Sequence, residues 1–64
     1  MEIIKGNTLD GSDVVIRHMS IRILRYRITT HPKAPISVSL RCDGEWRDKL
    51  VLAENINLDT LVEV

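Results

Sequence analysis

The sequence predicts a small all-β fold, either a barrel or a curled antiparallel sheet of five to six short strands with tight Asp-Gly hairpins. Three observations predict it. Ile36, Val38, Leu40 and Cys42 alternate with Ser37, Ser39 and Arg41, the period of two that marks a half-buried strand. Two Asp-Gly steps, Asp10-Gly11 and Asp43-Gly44, fall where hairpins would close. The longest apolar-rich stretch, Val14 to Thr30, carries many β-branched residues and ends in Thr29-Thr30. At 64 residues the chain is read as one domain, 1–64. A domain of this size buries only about 60% of its unfolded surface, so association with further copies would help it.

Taken in order, Glu2–Lys5 reads as a short strand. Gly6 to Ser12 is rich in turn residues, with Leu9-Asp10-Gly11-Ser12 closing a hairpin. In Val14–Thr30, Met19, Ile21 and Ile23 alternate with Ser20 and Arg22. Leu24, Tyr26 and Ile28 then alternate with Arg25 and Arg27. The parity flips between Ile23 and Leu24, which requires a bulge or bend, because a one-residue slip sends every side chain to the other face. The expectation is one long bent strand, or two strands sharing a kink near Ile23. As a helix the stretch scatters its apolar residues, with Ile16, Met19 and Ile23 on one side and Ile21, Leu24 and Ile28 on another. His31-Pro32-Lys33-Ala34-Pro35 reads as a rigid linker, and Pro35 stands where a strand can begin.

Two registers compete for the second hairpin. A two-residue loop, Asp43-Gly44, sets Leu40 opposite Arg47 and Val38 opposite Lys49, mixing apolar with charged side chains. A three-residue loop, Cys42-Asp43-Gly44, sets Leu40 opposite Trp46, Ile36 opposite Leu50 and Arg41 opposite Glu45. The second register is expected, with a twist or bulge at Asp48, which would otherwise face Val38. In the tail, Leu58–Val64 reads as a closing strand. The alternative is one short helical turn near the C-terminus, with Asn57 as its N-cap. Val14-Val15-Ile16 and Leu50-Val51-Leu52 are continuous apolar triplets whose middle residues would face water in a half-buried sheet. Together with unpaired strand edges, they argue for a homodimer or higher oligomer.

The formal net charge is zero, but it is unevenly laid out. Met1–Asp13 carries a net −2 and Asp43–Val64 a net −4. Val14–Cys42 contains no acid and holds Arg17, Arg22, Arg25, Arg27, Lys33 and Arg41, besides His18 and His31. The basic middle is either neutralised by the acidic ends or displayed to an anionic partner. Arg presents a planar fork suited to carboxylates and phosphates.

Residues for chemistry are sparse. Cys42, His18 and His31 stand in no motif that brings nucleophile and base together, and none has metal-ligand spacing. Parity puts Cys42 on the apolar face of its strand, as a small buried hydrophobe. Asp43, Glu45 and Asp48 surround a turn, and Gly6, Gly11 and Gly44 are too far apart for a phosphate loop. No enzyme, metal or cofactor is implied. A lone cysteine cannot form an intramolecular disulfide, and no apolar run approaches the roughly 20 residues that cross a bilayer, so a cytoplasmic location without membrane contact is expected.

The expected function is therefore binding. The chain would self-associate and engage an acidic surface of a partner protein through an Arg-rich strand. Arg22, Arg25, Arg27 and Arg17 would supply the forks, and Trp46 an interface anchor. Size alone suggests an accessory or inhibitor protein of phage or mobile-element type. The alternative is a protein that binds nucleic acid or nucleotide phosphate through Arg17, Arg22, Arg25 and Arg27. Parity assigns both aromatics, Tyr26 and Trp46, to apolar faces, which leaves that alternative without a stacking platform. The near-neutral pI of about 6.7 also argues against it.

Overall fold

A computed structural model describes residues 3–64. Its centre is an antiparallel sheet of five strands: β1 (Ile4–Asn7), β2 (Asp13–Ile16), β3 (Pro35–Cys42), β4 (Glu45–Leu52) and β5 (Val62–Glu63). They lie in the order β4-β3-β2-β1-β5, so β4 and β5 are open edges and the sheet does not close into a barrel. A single α-helix, α1 (Ile21–Thr30), is inserted between β2 and β3, and two short 3-10 turns cover Ala53–Asn55 and Leu58–Thr60.

Why the sheet has one covered face follows from the register. Ile4 pairs with Ile16, Gly6 with Val14, Val14 with Leu40 and Ile36 with Val51, so these side chains share a face. Ile4, Val14, Ile16, Ile36 and Val38 from that face join Leu24, Ala53, Ile56 and Leu61 in one core cluster. Helix α1 and the two turns form the lid over it. Among the described residues, no helix or turn lies on the opposite face.

Helix α1 overturns the bent strand expected over Val14–Thr30. Only Val14–Ile16 is extended; Ile21–Thr30 is helical. The parity flip at Ile23–Leu24 marks a change of period, not a bulge. Ile21, Leu24 and Ile28 lie three and four residues apart, the spacing of one helical stripe. Leu24 is fully buried, and Ile21 and Ile28 pack against the same cluster. A wheel begun at Val14 shows this stripe but sets strand residues beside it, so the whole stretch reads as scattered.

The β3–β4 hairpin adopts the two-residue loop, correcting the expected three-residue register. Leu40 faces Arg47, Val38 faces Lys49 and Cys42 faces Glu45. Asp43 (φ 51°) and Gly44 (φ 82°) are both left-handed, the backbone of a type I′ turn, whose twist matches the flanking strands. Polarity was a poor guide because β4 is an edge strand, where long stems can cover Val38 and Leu40 while their charges reach water. No bulge is needed at Asp48, which faces Ser39 and accepts its hydroxyl at 3.3 Å. The expected Arg41–Glu45 pair is also replaced: Arg41 approaches Asp13 (3.9 Å) and Arg47 binds Glu45 (3.3 Å).

The first hairpin forms, but with strand β1 running through Gly6 and Asn7, which the turn-rich composition had placed in the loop. The expected strand Glu2–Lys5 begins outside the described residues. Gly6 is a packing requirement: a Cβ there would stand 2.8 Å from Leu61 Cδ2. In the loop, Asp10 accepts from the Thr8 hydroxyl and from the Ser12 amide. These bonds, the Thr8 one first, hold its carboxyl below the usual 3.8. The closing strand expected over Leu58–Val64 is cut back to Val62–Glu63, and Leu58–Thr60 is the alternative helical turn, capped by Asn57.

Val15, the middle of the first apolar triplet, is only 8% exposed without any partner subunit. Its cross-strand neighbours Lys5 and Ser39 flank it on the open face. In the second triplet the expectation is reversed: the middle residue, Val51, packs against the core, and its neighbours Leu50 and Leu52 are exposed, Leu50 by 72%.

Leu24→Ala should cost about 2–5 kcal/mol, read as a lowered urea midpoint, because it empties the helix's one fully buried position. Gly44→Ala should cost about 1 kcal/mol by the same measurement, since a Cβ strains its left-handed backbone although nothing lies within 4 Å.

Candidate binding surface

Helix α1 presents the basic residues. Ser20 caps it, its hydroxyl accepting the Ile23 amide at 3.2 Å, and the His31 amide closes the far end on the Arg27 carbonyl at 2.8 Å. Thr29 and Thr30 turn their hydroxyls back onto the carbonyls of Arg25 and Tyr26, at 2.7–3.0 Å. These are hydroxyl bonds back onto the preceding turn, a way for threonine to be satisfied inside a helix, and they account for two threonines where strand propensity is expected.

With Ile21, Leu24 and Ile28 inward, 100° per residue places Tyr26 at the outer crest. Arg22 and Arg25 stand on one flank of it, and Ile23 and Arg27 on the other. All five are exposed, Tyr26 by 62%. Beside the crest, Ile23, Tyr26, Arg27, His31 and Ala34 line a shallow cleft of about 420 Å³. The rings of Tyr26 and His31 are tilted by 50° at 6.2 Å, and the Thr30 hydroxyl contacts His31 Nδ1 at 2.8 Å.

The ion pairs divide the basic middle of the chain. Lys33 is held by Glu54 at 2.8 Å and Arg41 lies near Asp13. Arg22, Arg25 and Arg27 make no ion pair among the described residues. The helix itself contains no acid. Thus Lys33 and Arg41 are paired with acids from the two ends of the chain, and the three arginines on α1 have no such pair among the described residues.

Arg17 and Trp46 do not join them. Arg17 donates to the Ser39 hydroxyl at 2.8 Å, and that hydroxyl donates on to Asp48, a chain crossing β2, β3 and β4 on the open face. Trp46, paired with Arg41, lies on that face too and is 50% exposed. The two aromatics expected on apolar, covered faces are therefore both accessible: Tyr26 because its segment is helical, Trp46 because the hairpin register differs by one residue. Cys42 is half-buried and free. Among the described residues, no three of His, Cys, Asp and Glu form a group able to hold a metal ion. Among the described residues, no helix is long and apolar enough to cross a membrane.

Comparison with protein-family models, curated proteins and solved structures finds no match for this chain.

Ser20→Ala should lower stability by about 1 kcal/mol and fray the first turn, seen as a reduced helical signal at 222 nm.

Proposed function

We propose that this chain is a non-enzymatic binding protein that self-associates and engages an acidic surface of a partner protein through the outer face of α1. The observation that carries the reading is the set of three arginines without ion-pair partners among the described residues, around an exposed tyrosine, on a helix held from below by Leu24. Arg and Tyr are the side chains that contribute most at protein interfaces, and Ile23 with the adjoining cleft adds apolar area. The Arg-rich element is a helix and not a strand, so the contact would be a helix laid on a surface, with guanidinium forks pairing carboxylates. Occupying a partner's surface is a steric mechanism, which suits an accessory or inhibitor role in a cytoplasm.

A second reading, nucleic-acid binding, is favoured by one observation. Tyr26 is exposed beside Arg22 and Arg25, which supplies the stacking group the sequence had seemed to lack. Arg17, on the other side of the sheet, would not contribute to it.

The combined variant Arg22→Ala, Arg25→Ala, Arg27→Ala should keep the wild-type circular-dichroism spectrum, because none of these side chains supports the core. It should lose binding to polyglutamate, the acidic-surface probe, at physiological salt. Binding to polyglutamate that survives in this variant would refute the reading. Tighter binding to duplex DNA than to polyglutamate, falling steeply with salt, would replace it with the second one.

A further inference from the structure

The open face of the sheet has a different character from α1. Trp46, Leu50 and Leu52 rise from it on β4, at one edge, and Val62 on β5, at the other. All four are exposed. Val15 forms the floor between them. Trp46, Val15, Lys5 and Asp13 line a trough of about 230 Å³, and Val15, Arg17, Ser39 and Asp48 help line a second of about 210 Å³.

Four of the five charges on this face are matched within it among the described residues, Lys5 being the exception. Arg41 lies by Asp13, and Arg17 reaches Asp48 through Ser39. Unlike α1, the face therefore carries little unmatched charge with which to recruit an oppositely charged partner. It does carry an apolar column at the β4 edge and the exposed Val62 at the β5 edge, and this suits a neutral surface with the same layout. We infer that the occupant is a second copy of this chain, the two open faces packed together as a sandwich about a two-fold axis running along the strands. That operation lays the β4 column, Trp46 and Leu50, against the β5 edge of the second copy, where Val62 stands, and Val15 against its own equivalent.

Charge and size agree with this occupant. A chain of zero net charge has no long-range repulsion between copies. The two longer extents of the molecule, 31 and 25 Å, allow a face of the order of the ~800 Å² that each partner gives to a standard interface. Pairing through the β4 edge fits less well. The hairpin register turns the backbone groups of Trp46, Asp48 and Leu50 outward, but Arg47, Asp48 and Lys49 are three consecutive charges on that edge, the usual guard against strand addition.

This inference deepens the self-association part of the proposed function, and its failure is separable from failure of the α1 reading. Sedimentation equilibrium of the wild type should give a dimer, and the emission of Trp46, the chain's one tryptophan, should shift to the blue as concentration rises. Trp46→Ser with Leu50→Asp should give a monomer with unchanged circular dichroism, weakening association at least 100-fold. Val62→Asp alone, at the opposite edge and far from β4, should weaken it at least 10-fold. The triple α1 variant should remain a dimer. A wild-type monomer at millimolar concentration would overturn the inference while leaving polyglutamate binding by α1 intact. So would a dimer that survives Trp46→Ser with Leu50→Asp, or one lost in the α1 variant.

Discussion

The architecture depends on a shortage of cover. A five-stranded sheet has two faces, and 64 residues supply one helix and two short turns to lie on them. All three go to the same side, where Leu24 seals a core built from Ile4, Val14, Ile16, Ile36 and Val38. The other side is left to its own side chains. Every surface property described above follows from this asymmetry. The helix spends one narrow stripe on the core and turns the rest of its circumference, with three arginines, to water. The bare sheet shields Val15 with its neighbours and leaves Trp46 and Leu50 standing out.

The all-β character, the Asp-Gly hairpins, the β3 alternation and the Asn57 cap were legible in the sequence because each is local. The type I′ turn at Asp43-Gly44 needs left-handed backbone at two neighbouring residues, the first hairpin loop needs it at Gly11, and alternation is visible within seven residues. What was not legible is what depends on the whole fold. Whether Arg47 and Lys49 can face Val38 depends on β4 lying at an edge, and edge position is a matter of strand order. The helix was missed for a different reason. Ile21, Leu24 and Ile28 were visible as one side of a wheel, but Val14–Ile16 and Ile23 diluted the signal when the whole apolar stretch was taken as one element. Ser20, a good N-cap three residues before Ile23, was the signal that could have divided it.

These two errors had opposite consequences for the candidate site. Reading α1 as a strand spread Arg22, Arg25 and Arg27 over two faces, whereas the helix gathers them around Tyr26. Reading the hairpin one residue out placed Trp46 on the core side, whereas the true register puts it on the open one, together with Arg17. One suspected patch is in fact two, separated by the thickness of the sheet and differing in charge. A basic middle segment is thus consistent with a neutral molecule: acids from both ends hold Lys33 and Arg41, and the helix keeps its cations unmatched.

The segment after α1 sets how the helix meets anything. Pro32 and Pro35 stiffen it, the Pro32 and Ala34 carbonyls accept the amides of Glu54 and Ala53 at 2.9 Å, and Lys33 grips Glu54. The C-terminal end of the helix is thereby bolted to the 3-10 turn beneath it. A helix fixed in this way loses little freedom on docking, so encounter would resemble the meeting of two rigid bodies. Its kinetic signature would be a fast, ionic-strength-sensitive approach without a slow ordering phase.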